Sequence, residues 1–95
     1  MVLGADVQAD PRGILDALCA ALGIAFDEAM LSWPAGPRPS DGVWAPAWYD
    51  AVERSTGFVA PNETDRTPLP AALQRIADAA RPHYEALARH RLRRD

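Results

Sequence analysis

The residues able to do chemistry cluster in one stretch, Pro37-Arg38-Pro39-Ser40-Asp41-Gly42-Val43-Trp44. Arg38 brings a planar guanidinium fork that pairs with phosphate or sulfate oxygens. Ser40 adds a hydroxyl, and Gly42 lets a ligand approach the backbone. Trp44 offers an aromatic face that covers a base or packs beneath it. Arg38, Ser40, Gly42 and Trp44 therefore form the candidate binding set. The same stretch also reads as a proline-stiffened loop whose tryptophans lock onto neighbouring helices.

Nothing else in the chain assembles a nucleophile, a base and an orienting group. His83 and His90 are seven residues apart on an expected helix, which separates their Cα atoms by ~10.5 Å, too far to share one metal ion comfortably. No catalytic residue and no metal ligand set is expected. Asp27, Glu28 and Asp65 read as caps or solvated carboxylates. Neither G-x-x-x-x-G-K-[ST] nor G-x-G-x-x-G occurs, so the familiar phosphate cradles are absent from these residues. Arg89-His90-Arg91-Leu92-Arg93-Arg94 is a basic cluster that suits a helix C-terminus, where cations complement the helix dipole.

The elements that must position the set can be read from punctuation and periodicity. Asp10-Pro11 starts a helix, because Asp accepts from the free first-turn amides and Pro loses nothing at the first position. Ile14, Leu15, Leu18 and Leu22 then mark one buried face, and Gly23 stops the helix, giving residues 10–23. The stretch up to about Val7 reads as a strand end or linker. Asp27 is expected to cap a brief helix ending at Met30 or Leu31. Residues 32–46 form a Trp-, Pro- and Gly-rich loop, and its indoles argue against disorder, since a mobile loop would leave them in water. A helix over 47–56 sets Trp44, Trp48 and Val52 four apart on one side, with Gly57 as its stop. A polar connection from Phe58 to Pro68 follows. Leu69, Leu73, Ile76, Ala80, Tyr84 and Leu87 keep one register through Pro82, which predicts a single kinked helix over 70–92.

The fold class is therefore all-α, three to four helices around a long Pro/Gly-rich central loop, in one domain spanning 1–95. The chain has 95 residues and a net charge of −3, which gives no general affinity for nucleic acid or anionic membranes. All of its basic residues are arginine, so lysine chemistry is excluded. Cys19 is the single cysteine; it permits no internal disulfide and reads as a small buried thiol. No apolar run reaches the ~18–20 residues of a membrane span, and the N-terminus lacks the pattern of a signal peptide. A cytoplasmic location is the expectation. Much of the 48% hydrophobic content is alanine, which predicts a thin core completed by a neighbour.

The helix from Asp10-Pro11-Arg12-Gly13-Ile14-Leu15 through Leu22-Gly23-Ile24-Ala25-Phe26 resembles the one that follows the catalytic core of bacterial sulfotransferases. The run from Met30 to Pro46, with Trp48-Tyr49, Ser55-Thr56-Gly57-Phe58 and the tail Arg81-Pro82-His83-Tyr84-Glu85, is similar to the C-terminal part of bacterial sulfotransferase-like P-loop proteins. The resemblance implies a helical C-terminal piece of a P-loop α/β parent fold. It also implies 3′-phosphoadenosine 5′-phosphosulfate as cofactor, with an N-terminal P-loop holding its 5′-phosphosulfate. In that family an R-K-G-x-x-G-D-W segment closes over the 3′-phosphate and adenine. Arg38, Gly42 and Trp44 match its Arg, second Gly and Trp; the spacing is one residue shorter, the lysine is missing, and Val43 stands where Asp would be. The expectation is a cofactor-lid and substrate-side segment, a truncated or split product that binds without catalysing. Its partner is then a missing N-terminal P-loop core or another chain. The competing expectation is a stand-alone helical protein-interaction module.

Overall fold

The computed structural model describes residues 1–60 and 67–94. Among these residues five α-helices follow one another: α1 (Gly4–Ala9), α2 (Pro11–Leu22), α3 (Ala45–Trp48), α4 (Asp50–Arg54) and α5 (Ala71–Ala88), with 3-10 turns at Glu28–Met30 and Pro39–Asp41. Among the described residues the only sheet-like feature is an isolated antiparallel bridge between Ser32 and Gly57. The all-α expectation holds.

α2 follows its punctuation closely. The Asp10 carboxylate accepts from the Gly13 amide at 3.0 Å, Pro11 opens the helix, and Gly23 closes it at φ 72°, a left-handed conformation that suits glycine. Ile14 and Cys19 are buried, Leu15 and Leu18 half-buried, and Leu22 exposed, so the expected face is covered only along part of its length. The stretch expected as a strand end or linker is helical instead: α1 turns at Asp10 and packs on α2. The brief helix after Asp27 is a 3-10 turn, capped by the Asp27 carboxylate accepting from the Ala29 amide at 2.9 Å.

The helix expected over 47–56 divides in two. The backbone leaves the helical region at Tyr49 (φ −103°, ψ 15°), yet the Glu53 amide still bonds to the Tyr49 carbonyl at 2.7 Å, so α3 and α4 meet at a bend. The helical stretch stops at Arg54, and Gly57 serves the bridge to Ser32 instead. A side chain at Gly57 would come within 3.3 Å of the Leu31 carbonyl. α5 runs through Pro82 without interruption; proline removes only the amide facing the Asp78 carbonyl. It ends at Ala88, which leaves His90 in the turn beyond it. The connection expected from Phe58 to Pro68, and Asp65 within it, lies largely outside the described residues.

The core is very small. Ile14, Cys19 and Ala45 are the buried apolar residues among those described. The Cα radius of gyration is 16.6 Å, against about 12 Å for a compact chain of this length. Leu73, Ile76, Tyr84 and Leu87 are all at least half exposed, and the helix carrying them packs on no other helix by more than isolated contacts.

Candidate functional site

The segment from Arg38 to Trp44 is held by its own backbone and by one strap. Pro39–Asp41 forms a 3-10 turn in which the Asp41 amide donates to the Arg38 carbonyl at 3.1 Å. The Arg38 amide in turn donates to the Asp41 carboxylate at 3.1 Å, which turns that charge toward the backbone. Gly42 ends the turn at φ 78°. The strap lies on either side of the segment in sequence. Trp33 donates its amide to the Thr56 carbonyl at 3.0 Å and its indole Nε1 to the Ser55 hydroxyl at 2.9 Å. Its ring meets Phe58 edge-on, with centroids 5.3 Å apart. The Gly36 amide donates to the Glu53 carbonyl at 2.6 Å and closes the other side.

Within this frame Arg38 is half-buried, and its guanidinium donates to the Pro34 carbonyl at 3.3 Å. Only one long bond holds it, and it has no carboxylate partner among the described residues. Its remaining donors can take a tetrahedral anion. Ser40 is exposed on the 3-10 turn, and Gly42 has open space where a side chain would stand. Trp44 departs from the reading in which the tryptophans lock onto neighbouring helices. It is 67% exposed rather than locked into the fold, because α3 is too short to present a face for it to pack on. Its ring packs edge-on against Trp48 at 6.4 Å, and the two line a shallow apolar cleft with Tyr49. Sequence reasoning missed that cleft. The signal available was the run of three aromatic residues, Trp44, Trp48 and Tyr49.

The remaining charged groups sit outside this segment. Arg12 and Glu28 pair through both terminal guanidinium nitrogens, with Arg12 also over the Phe26 ring at 5.8 Å. The hydrogen bond from Arg12, aided by its charge, holds the Glu28 carboxyl below the usual carboxylate range. The bond to Glu28 raises Arg12 in the same way. Near the N-terminus, Arg91 Nε meets Asp6 at 3.3 Å, Arg94 meets Asp10 at 3.1 Å, and the Leu92 amide donates to the Met1 carbonyl at 2.8 Å. His83 and His90 are exposed. Among the described residues no three His, Cys, Asp or Glu side chains gather as a metal set, and no helix is long and apolar enough to cross a membrane.

Residues 1–91 match the family described as sulfotransferase domain. The branched-chain-amino-acid aminotransferase-like protein 1 of Arabidopsis thaliana is 44% identical over 90 residues, which cover 94% of this chain and 16% of that protein. The corresponding protein 2 of the same plant is 40% identical over 85 residues, covering 90% of this chain and 15% of that one. The chain thus spans about one sixth of the length of these curated relatives. No solved structure matches it.

Proposed function

The chain belongs to the sulfotransferase domain family, and from that premise we propose that it is the cofactor-lid and substrate-side segment of a sulfotransferase-like protein. The observation that carries this reading is Arg38: a half-buried residue whose guanidinium has no carboxylate partner among the described residues, next to a glycine at positive φ and an exposed indole. These residues fit one end of 3′-phosphoadenosine 5′-phosphosulfate. Arg38 and the Ser40 hydroxyl would hold the 3′-phosphate, the open backbone at Gly42 would let it approach, and Trp44 would cover the adenine. When bound, the cofactor supplies an activated sulfuryl group. The phosphate loop that holds its 5′-phosphosulfate in that family has no counterpart in these residues, which contain neither lysine nor a phosphate-loop motif. The 95-residue chain alone is therefore expected to bind without transferring sulfuryl groups. A P-loop core, in a longer polypeptide or a separate chain, is its proposed partner, and a cytoplasmic location belongs to the same reading.

The test is a titration with 3′-phosphoadenosine 5′-phosphate followed by tryptophan fluorescence. Quenching that disappears in Arg38→Ala supports the reading; no response at millimolar ligand overturns it. Turnover by the 95-residue chain alone would overturn the non-catalytic part. One observation favours a second reading, a stand-alone helical interaction module: the apolar side of α5 is exposed along its whole length. Under that reading the nucleotide has no effect on fluorescence.

A further inference from the structure

The end of α5 gathers a second set of guanidiniums that shares no residue with the Arg38 segment. Arg12, Arg54, Arg81, Arg91 and Arg94 each pair with a carboxylate. Arg89 and Arg93 make no such pair among the described residues, although the chain holds 13 acidic groups against 10 basic ones. Both of them line one surface cleft together with Arg91, Tyr84, Glu85 and Ala88. Arg91 is half-buried and fixed through Nε to Asp6, and the Leu92 amide is fixed to the Met1 carbonyl, so the backbone between Arg91 and Arg93 is anchored. Among the described residues, like charges are therefore held together without all being neutralised. Such an arrangement costs repulsion in the free protein and is relieved by an anion.

We propose that this cleft binds a phosphate or sulfate monoester. A single carboxylate offers two oxygens, which one guanidinium fork satisfies; a tetrahedral oxyanion offers three and suits several forks converging from different residues. Tyr84, about half exposed at 54%, gives the organic part of the ester an aromatic wall. Glu85, which also lines the cleft, opposes the anion and sets the affinity lower than three arginines alone would give.

The experiment is an NMR titration of the 95-residue chain with inorganic phosphate and then phenyl phosphate. Amide shifts are expected at Arg89, Arg91, Arg93 and Tyr84, larger for the phenyl ester. The double variant Arg89→Ala/Arg93→Ala should weaken binding about tenfold or more, since each charged hydrogen bond lost has an effect of that order. Glu85→Gln should tighten it, while Arg38→Ala and Arg54→Ala should leave it unchanged. Arg89 and Arg93 are exposed, so the double variant should keep its far-ultraviolet circular dichroism spectrum. Three results overturn the proposal: shifts spread evenly over all surface arginines, unchanged affinity in the double variant, or binding only to phosphatidylglycerol vesicles or nucleic acid. An Arg38→Ala variant that loses nucleotide quenching but keeps this titration separates the two sites.

Discussion

Replacing Trp33 by Phe isolates the hydrogen bond that straps the Arg38 segment to the stretch around Ser55. The phenyl ring keeps a partner for Phe58 and much of the apolar contact, and loses the Nε1 donor, which bonds to the Ser55 hydroxyl at 2.9 Å. A neutral bond of this kind contributes about 1 kcal/mol, so local opening should become about fivefold more frequent. Ser55→Ala cuts the same bond from its other end and also removes the hydroxyl donation to the Val52 carbonyl at 2.6 Å, which makes its effect slightly larger. Trp33→Ala goes further. It exposes on the order of 100 Å² of previously covered apolar surface, and with the lost bond and ring contact the total reaches about 4 kcal/mol, enough to free the strap. The assay is amide hydrogen exchange at Trp33 and Gly36, whose protons are held by the Thr56 and Glu53 carbonyls. In the double variant Trp33→Phe/Ser55→Ala the loss should equal that of Ser55→Ala alone, a coupling of about 1 kcal/mol. Strictly additive single effects, or unchanged exchange at Gly36 in Trp33→Ala, would refute the reasoning.

Three further substitutions bear on other parts of the chain. Gly13→Ala should fail to give the gain of up to ~1 kcal/mol that alanine brings inside a helix, because the new Cβ would fall 2.1 Å from the Asp10 carboxylate and 2.6 Å from the Arg94 chain. A melting temperature raised by the full helix gain would contradict this. The Glu28 carboxyl is lowered by its bond from Arg12, so any stability from the pair is present above the ordinary glutamate pKa and lost as pH falls through the lowered value. A carbon-detected NMR titration should give Glu28 a midpoint below that ordinary value, and Arg12→Ala should return it there; an ordinary midpoint in the parent chain would count against the pair. Ile76→Asp alters a side chain that is 66% exposed. The urea midpoint of the isolated chain should correspond to a change within about 0.5 kcal/mol, and a larger loss would mean that something covers this face.

Local punctuation was readable in the sequence, and contacts across long stretches were not. Asp10, Pro11 and Gly23 fix the ends of α2 through interactions within a few residues, and the three/four spacing of the last helix survives Pro82 because its register continues on both sides. α1 carries no such signal: it has no side-chain cap and is only six residues long. The bend at Tyr49 likewise has no marker, since nothing in Trp48-Tyr49-Asp50 is a helix breaker. Candidate binding residues could be named because Arg, Gly and Trp have distinctive chemistry, but the exposure of Trp44 depends on how little of α3 there is to pack against. Periodicity identified the apolar side of the last helix; it does not say what covers that side.

The contacts that bring Arg91, Leu92 and Arg94 back to Met1, Asp6 and Asp10 have a consequence for the order of assembly. The Arg94–Asp10 pair spans 84 residues, whereas Arg12–Glu28 spans 16. Closing the longer loop costs about 1.5 kcal/mol more in chain entropy, and the solvent-accessible ion pairs that reward it contribute little each. This clasp should therefore be the last contact made in folding and among the first lost on warming. Because Arg91 is held in place by it, the guanidinium cleft can come apart while α2 and α5 are still intact. Heat should thus abolish anion binding there before it melts the helices.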